Sequence, residues 1–232
     1  VLAVVDATHQ HGFDRLCEDM SESSDAESAG GTWTRRDMEE KTAACYERDD
    51  ATVVVLQGRQ LRTAENLEVL AIGTDADLDD GLPIRATLDA ATAAGAVRVI
   101  PWGFGKWFGR RGRVLRNLLD ESDPTDFFLG DNSNRLSGAH RPALFAEAEA
   151  LGFRMLPGSD PLPFPDECQS VGRAGFVLPG RLDLDTPASD LKRRLSEVGA
   201  TIEPFGEFES TSRFLRNQLN MQRSRLLRRS TI

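Results

Sequence analysis

The stretch Leu82-Pro83-Ile84-Arg85-Ala86-Thr87-Leu88-Asp89-Ala90-Ala91-Thr92-Ala93-Ala94-Gly95-Ala96-Val97-Arg98-Val99-Ile100-Pro101 sets the reading of the fold. Leu82–Ala94 predicts a helix. Pro83 fits its first turn, where the missing N–H costs nothing, and Gly95 ends it. Val97–Ile100 is short, apolar and β-branched, so it predicts a strand, and Pro101 stops it.

The same rhythm continues downstream. Arg110–Leu119 predicts a helix and Asp126–Leu129 a strand. Pro142–Leu151 predicts a helix ended by Gly152, followed by a strand at Phe153–Leu156. Spacing of this kind matches successive βαβ units with right-handed crossovers. It implies a mostly parallel sheet, open or closed. Ala174–Leu178 reads as a further strand, and Leu191–Val198 and Ser212–Arg228 as closing helices.

Upstream, Val1–Val5 is a short apolar strand ending at Asp6. Phe13–Met20 is a short helix. Residues 21–50 are a variable segment. Within it Ser21–Gly31 has loop composition and Arg35–Arg48 has helical character. Ala51–Leu56 and Leu67–Ile72 are strands, with Gln57–Asn66 between them. No repeat and no second core is apparent, so residues 1–232 are read as one domain. Residues 212–232 are its docked C-terminal helix.

The chain has 232 residues, 40% of them hydrophobic and 28% charged, which suits one packed domain. Its net charge of −9 argues against general nucleic-acid binding, which needs a basic face. No apolar run is long enough to span a bilayer, and no signal-peptide pattern opens the sequence. Cys17, Cys45 and Cys168 are odd in number and widely spaced, so a reducing, cytoplasmic setting is expected. Nothing in the residues specifies an oligomeric state.

In parallel α/β folds, functional groups gather where strands end at their carboxyl edges. Here that rule nominates Asp6–His11, Gln57–Gln60, Pro101–Arg111, Gly130–Arg135 and Gly158–Asp160. His9 and His11 follow the first strand, and neutral imidazoles so placed can share a cation or simply be exposed. Asp160 is either a ligand-type carboxylate or a turn cap. Lys106, Arg110, Arg111 and Arg113 lie in a glycine- and aromatic-rich loop before a predicted helix. Such a loop suits a small anion, phosphate or carboxylate, or is a structural loop with solvated arginines. Gly130-Asp131-Asn132-Ser133-Asn134-Arg135 brings Asn132 to the same edge, or forms a turn. The Walker P-loop, the G-x-S-x-G elbow and the H-E-x-x-H helix are all absent.

In order, these segments resemble the PHP (polymerase and histidinol phosphatase) family of metal-dependent phosphoesterases. Residues 1–11 resemble its opening strand and H-x-H motif. Gln57–Gly73 resembles its G-x-E segment, and Val97–Pro101 the strand ending in His-Pro. Asp126–Asn132 resembles the strand ending in Asn, and Gly158-Ser159-Asp160-Pro161-Leu162 resembles G-S-D-A-H. The resemblance implies a distorted (β/α)7 barrel with mostly parallel strands. It also implies that most metal ligands are lost. Gln60 stands at the family's Glu, Glu68 at the following His, Ile100 at the His before Pro, and Leu162 at the final His. A three-metal site is therefore not expected. His9, His11, Glu68 and Asp160 are left for at most one divalent ion (zinc, manganese or iron), and Lys106, Arg110, Arg111 and Asn132 for a small anionic ligand. Two readings follow. One is a phosphate-like anion binder without the family's chemistry. The other is a metal-dependent phosphoester hydrolase with a reduced site.

Overall fold

The computed structural model describes residues 1–8, 10–22, 32–103, 105–132, 141–161, 165–197, 199–206 and 216. Its strands are β1 (Leu2–Ala7), β2 (Thr34–Arg36), β3 (Ala43–Arg48), β4 (Ala51–Arg62), β5 (Glu68–Ile72), β6 (Val97–Pro101), β7 (Phe128–Asn132), β8 (Met155–Gly158), β9 (Ala174–Val177) and β10 (Glu203–Gly206). Its helices are α1 (Gly12–Glu22), α2 (Ile84–Ala93), α3 (Gly109–Glu121), α4 (Ala143–Ala150) and α5 (Pro187–Ser196).

The expected mostly parallel barrel is not what the chain forms. β1 to β8 make an open mixed sheet. Antiparallel pairing joins β2 to β3, β3 to β4, β4 to β5 and β5 to β6. Parallel pairing joins β1 to β4, β6 to β7 and β7 to β8. β9 and β10 form a separate two-stranded ribbon. The βαβ reading therefore holds for β6-α3-β7-α4-β8 and fails before it.

Two local features produce the difference. Residues 35–48 were expected to be helical. They instead supply β2 and β3, because Ala43, Ala44, Cys45 and Tyr46 are all buried and pair with β4. Asp49, at φ 50°, makes the tight turn between β3 and β4. The second feature is the length of β4. Gln57–Arg62 continues the strand instead of leaving it, so β5 returns as an antiparallel hairpin.

β4 organises the sheet. The Gln57 N–H donates to the Thr42 carbonyl (2.8 Å), and the Gln57 carbonyl accepts from the Gly73 N–H (2.7 Å). Both groups of one strand residue leave on the same side. β3 and β5 therefore follow one another along one edge of β4, and β1 takes the other edge. Beyond β1, the Arg62 N–H donates to Asp80 (2.8 Å), and the Thr8 hydroxyl holds the other Asp80 oxygen (2.6 Å). Gly58 is needed where the hairpin closes, since a Cβ there would lie 2.9 Å from the Ala71 carbonyl oxygen.

Strand alternation sends successive residues to opposite faces. Val55, Leu61, Val69, Ala71, Ile100 and Leu129 face α1–α4. Leu56, Ile72, Val97, Val99, Phe128 and Leu156 face α5. The result is three layers with a core on each side of the sheet. Two carboxylates fasten helices to it. Asp6 accepts the N–H groups of Gly12 (2.9 Å) and Phe13 (3.1 Å) at the start of α1. Glu40 accepts those of Ala188 (2.6 Å) and Ser189 (3.1 Å) at the start of α5. Each meets donors that a helix start leaves unpaired. The closing helix expected at 212–232 lies outside the described residues, apart from Arg216.

Candidate functional site

β1, β4, β6, β7 and β8 run in one direction, so their carboxyl ends share one edge of the sheet. β5 runs the other way and brings its first residue, Glu68, to that edge. Register also fixes the face. Glu68 lies two residues before Leu70 and Asn132 four after Phe128, and both apolar residues belong to the α5 side. Glu68 and Asn132 thus point to one face at one edge.

Asn132 is buried, at 6% exposure. Its Nδ2 donates to the Trp102 carbonyl (2.8 Å) and to Asp160 Oδ2 (2.6 Å). Those two acceptors fix the amide orientation and leave Oδ1 buried without a donor. Asp160 itself sits at φ 41°, a left-handed conformation uncommon outside glycine. Ends of β6, β7 and β8 are thereby tied together by one amide.

Lys106 reaches the same edge from the loop after β6. Its Nζ pairs with the Glu68 carboxylate, and both side chains keep partial access to solvent. The loop that carries Lys106 is held from below. Trp102 and Trp107 are buried in the core, and the Trp107 ring lies 4.9 Å from that of Phe145. The Trp102 N–H donates to Gly130 (2.8 Å), and the Lys106 N–H to Gly103 (2.8 Å). Gly103 lets the Lys106 chain cross closely, since a Cβ would meet its Cδ at 2.6 Å.

The other expected anion ligands divide. Arg111 donates to the Gly105 carbonyl (2.7 Å) and so braces the loop. Arg110 lines a separate shallow groove with Arg113 and Arg116 on α3. Only Lys106 and Asn132 of that set lie at the sheet edge with Glu68 and Asp160.

The expected metal ligands also divide. His11 lies at the start of α1, with Nδ1 3.6 Å from Asp14. Glu68 is engaged by Lys106 and Asp160 by Asn132. Among the described residues, no three His, Cys, Asp or Glu side chains come together in a way that could hold a metal ion. His9 and Leu162 lie outside the described residues. Ile100 is fully buried in the core, and Gln60 pairs with Leu70 inside the sheet. The described side chains do not assemble a cage for a divalent ion.

Sequence reasoning missed the partnership of Glu68 with Lys106 and the role of the Trp102 carbonyl. Neither has a local signal, because the first depends on β5 running antiparallel to β6 and the second on β7 lying beside β6. Among the described residues, no helix is long and apolar enough to cross a membrane.

This is an α/β protein of three layers with a group of polar side chains at one sheet edge. No family model matches the chain, and no curated protein does. It is similar in fold to a solved structure, the crystal structure of PsfC from Pseudomonas syringae PB-5123. The TM-score is 0.54 at 18% identity, over 97% of this chain and 83% of that one. At that identity the likeness concerns the fold alone.

Proposed function

We propose that the chain binds a small anionic, phosphate-like ligand at the carboxyl edge of the sheet, without the three-metal phosphoesterase chemistry of the PHP family it resembles. The observation that carries this reading is the placement of the Lys106–Glu68 pair beside the Asn132–Asp160 pair on one face. Lys106 is the cation that pairs with Glu68 at that edge. Both side chains keep partial access to solvent, so the pair is worth little on its own, and an entering anion can compete for the ammonium. Asn132 Oδ1 would accept from a protonated oxygen of the ligand. Asp160, held in place by Asn132, would select against a fully deprotonated anion.

The reading is tested with inorganic phosphate and a panel of phosphoesters, in the presence and absence of Mn²⁺ or Zn²⁺, on protein without a histidine tag. Saturable phosphate binding that weakens about tenfold in Lys106→Ala, with no metal-dependent turnover, supports it. Metal-dependent hydrolysis that vanishes in Asp160→Ala would replace it with the reduced-site hydrolase.

A further inference from the structure

A cavity lies apart from that polar edge. It has a volume of about 820 Å³, in the range of sites that take small organic ligands. It opens between the end of α4, the β7–β8 edge of the sheet and the β9–β10 ribbon. Asp131 contributes to its wall, whereas the next residue, Asn132, belongs to the polar edge. The cavity wall includes none of Glu68, Lys106, Asn132 and Asp160.

The wall is largely apolar and includes Phe153, Met155, Pro157, Ile202, Pro204 and Phe205. Phe205 is a large apolar side chain left about half exposed there, at 47%. Against this wall stand two arginines. Arg141 is neutralised: its Nη1 and Nη2 donate to Glu149 (2.6 and 2.7 Å), and its Nε lies 3.8 Å from Asp131. Among the described residues, Arg154 has no such counter-ion. Its guanidinium stacks over the Phe128 ring at 4.8 Å, which satisfies the ring face but none of the in-plane N–H donors. Its Nη1 is buried with no acceptor. Burial alone acts on the group, lowering its pKa from the usual guanidinium value, and no carboxylate opposes that. An unpaired guanidinium at an apolar wall is costly until an anion meets it.

We propose that this cavity is a binding site for an amphipathic monocarboxylate, with Arg154 as counter-ion and Phe205 and Ile202 holding the apolar body. Both carboxylates of the wall, Glu149 and Asp131, are engaged by Arg141, which leaves the single guanidinium of Arg154 to meet one carboxylate rather than a dianion. The wall selects an acyl or aryl body over a bare phosphate. Arg is suited to the task, since its planar fork matches a carboxylate.

Octanoate is the probe, with octanol as the neutral control of equal length and the full chain as the protein. Calorimetry is expected to show saturable octanoate binding, at least tenfold weaker octanol binding, and loss of at least tenfold in affinity in Arg154→Met. Phe205→Ala should weaken octanoate several-fold. Lys106→Ala, at the polar edge outside the cavity, should leave it unchanged. Arg154→Lys keeps the charge without the fork and should fall between wild type and Arg154→Met. Circular dichroism checks that each variant is folded. If Arg154→Met does not fold, Arg154→Lys and Phe205→Ala carry the decision. The proposal is overturned if octanoate does not saturate, if octanol binds equally, if folded Arg154 variants bind like wild type, or if Lys106→Ala removes the binding.

Discussion

Asn132, the last residue of β7, donates to Asp160, just past β8, across 2.6 Å. The same Nδ2 also donates to Trp102, just past β6. One buried amide therefore sets the spacing of three strand ends. Asn132→Leu keeps similar bulk and removes both donors. Losing a buried hydrogen bond to a charged acceptor costs roughly 1–3 kcal/mol. Urea unfolding should show a loss of that size, together with loss of phosphate affinity. A stable variant with unchanged affinity would separate Asn132 from the site.

Glu68 pairs with Lys106 and, in the proposed anion site, would compete with the ligand for it. Glu68→Gln removes that competition and should raise phosphate affinity by roughly three- to tenfold while changing stability by less than about 1 kcal/mol. The gain should shrink with added salt, because both partners are partly exposed. Titration calorimetry at low and high ionic strength measures it. Weaker binding in Glu68→Gln would mean that the carboxylate contacts the ligand directly.

The legible part of the fold was the part with strong punctuation. Gly95, Pro101 and Gly152 mark the limits of α2, β6 and α4, and those elements fall close to where the sequence places them. Residues 35–48 misled because Arg, Glu, Lys and Ala are good helix formers locally. Burial of Ala43–Tyr46 between two cores overrides that preference. β4 was read as ending at Leu56 because Gln57-Gly58-Arg59-Gln60 is polar and contains glycine. The stretch nevertheless stays in the sheet, paired with β1 on one edge and, from Gly58 on, with β5 on the other. Asn132 and Asp160 were legible as strand-end residues. Arg154 was not, since nothing in Gly152-Phe153-Arg154-Met155 reveals a missing counter-ion.

Asp6 caps α1 through two N–H groups. Asp6→Ala should destabilise the chain by about 1–2 kcal/mol, as loss of such a cap does. Gly12→Ala should also destabilise, because the new Cβ would lie 2.5 Å from Asp6 Oδ1. Thermal unfolding of both variants checks this, and an unchanged midpoint in either would contradict the capping account.

Asp190, at 7% exposure, anchors the start of α5. Burial pushes its carboxyl up, but the Asp183 N–H and the Arg193 and Arg194 guanidiniums outweigh burial and hold it below the ordinary carboxylate value. A depressed folded pKa contributes stability that is present above the unfolded value of about 3.9 and is lost as pH falls through the folded one. Urea stability should therefore drop with acid below about pH 4. Asp190→Asn should flatten that drop and cost stability at pH 7. An unchanged acid slope in the variant would contradict the assignment.

Tyr46 is the single tyrosine of the chain, so its ionisation can be read alone. Burial, with the Cys17 thiol beside it, pushes its pKa up to about 12. The unfolded phenol ionises near 10, so folding stability should fall as pH rises from about 10 to about 12. Absorbance at 295 nm should show the native transition well above that of the chain in urea. Coincident transitions would contradict the buried environment of Tyr46.

The central claim is the anion site at the carboxyl edge of the sheet. Its most direct test is a phosphate titration of isotope-labelled protein followed by amide and side-chain NMR shifts. The account predicts that Lys106, Glu68, Asn132 and Asp160 shift together along one saturating curve, and that Arg110 and Arg113 on α3 do not follow it. Shifts confined to the α3 arginines, or linear drift with no saturation at the four edge residues, would contradict it.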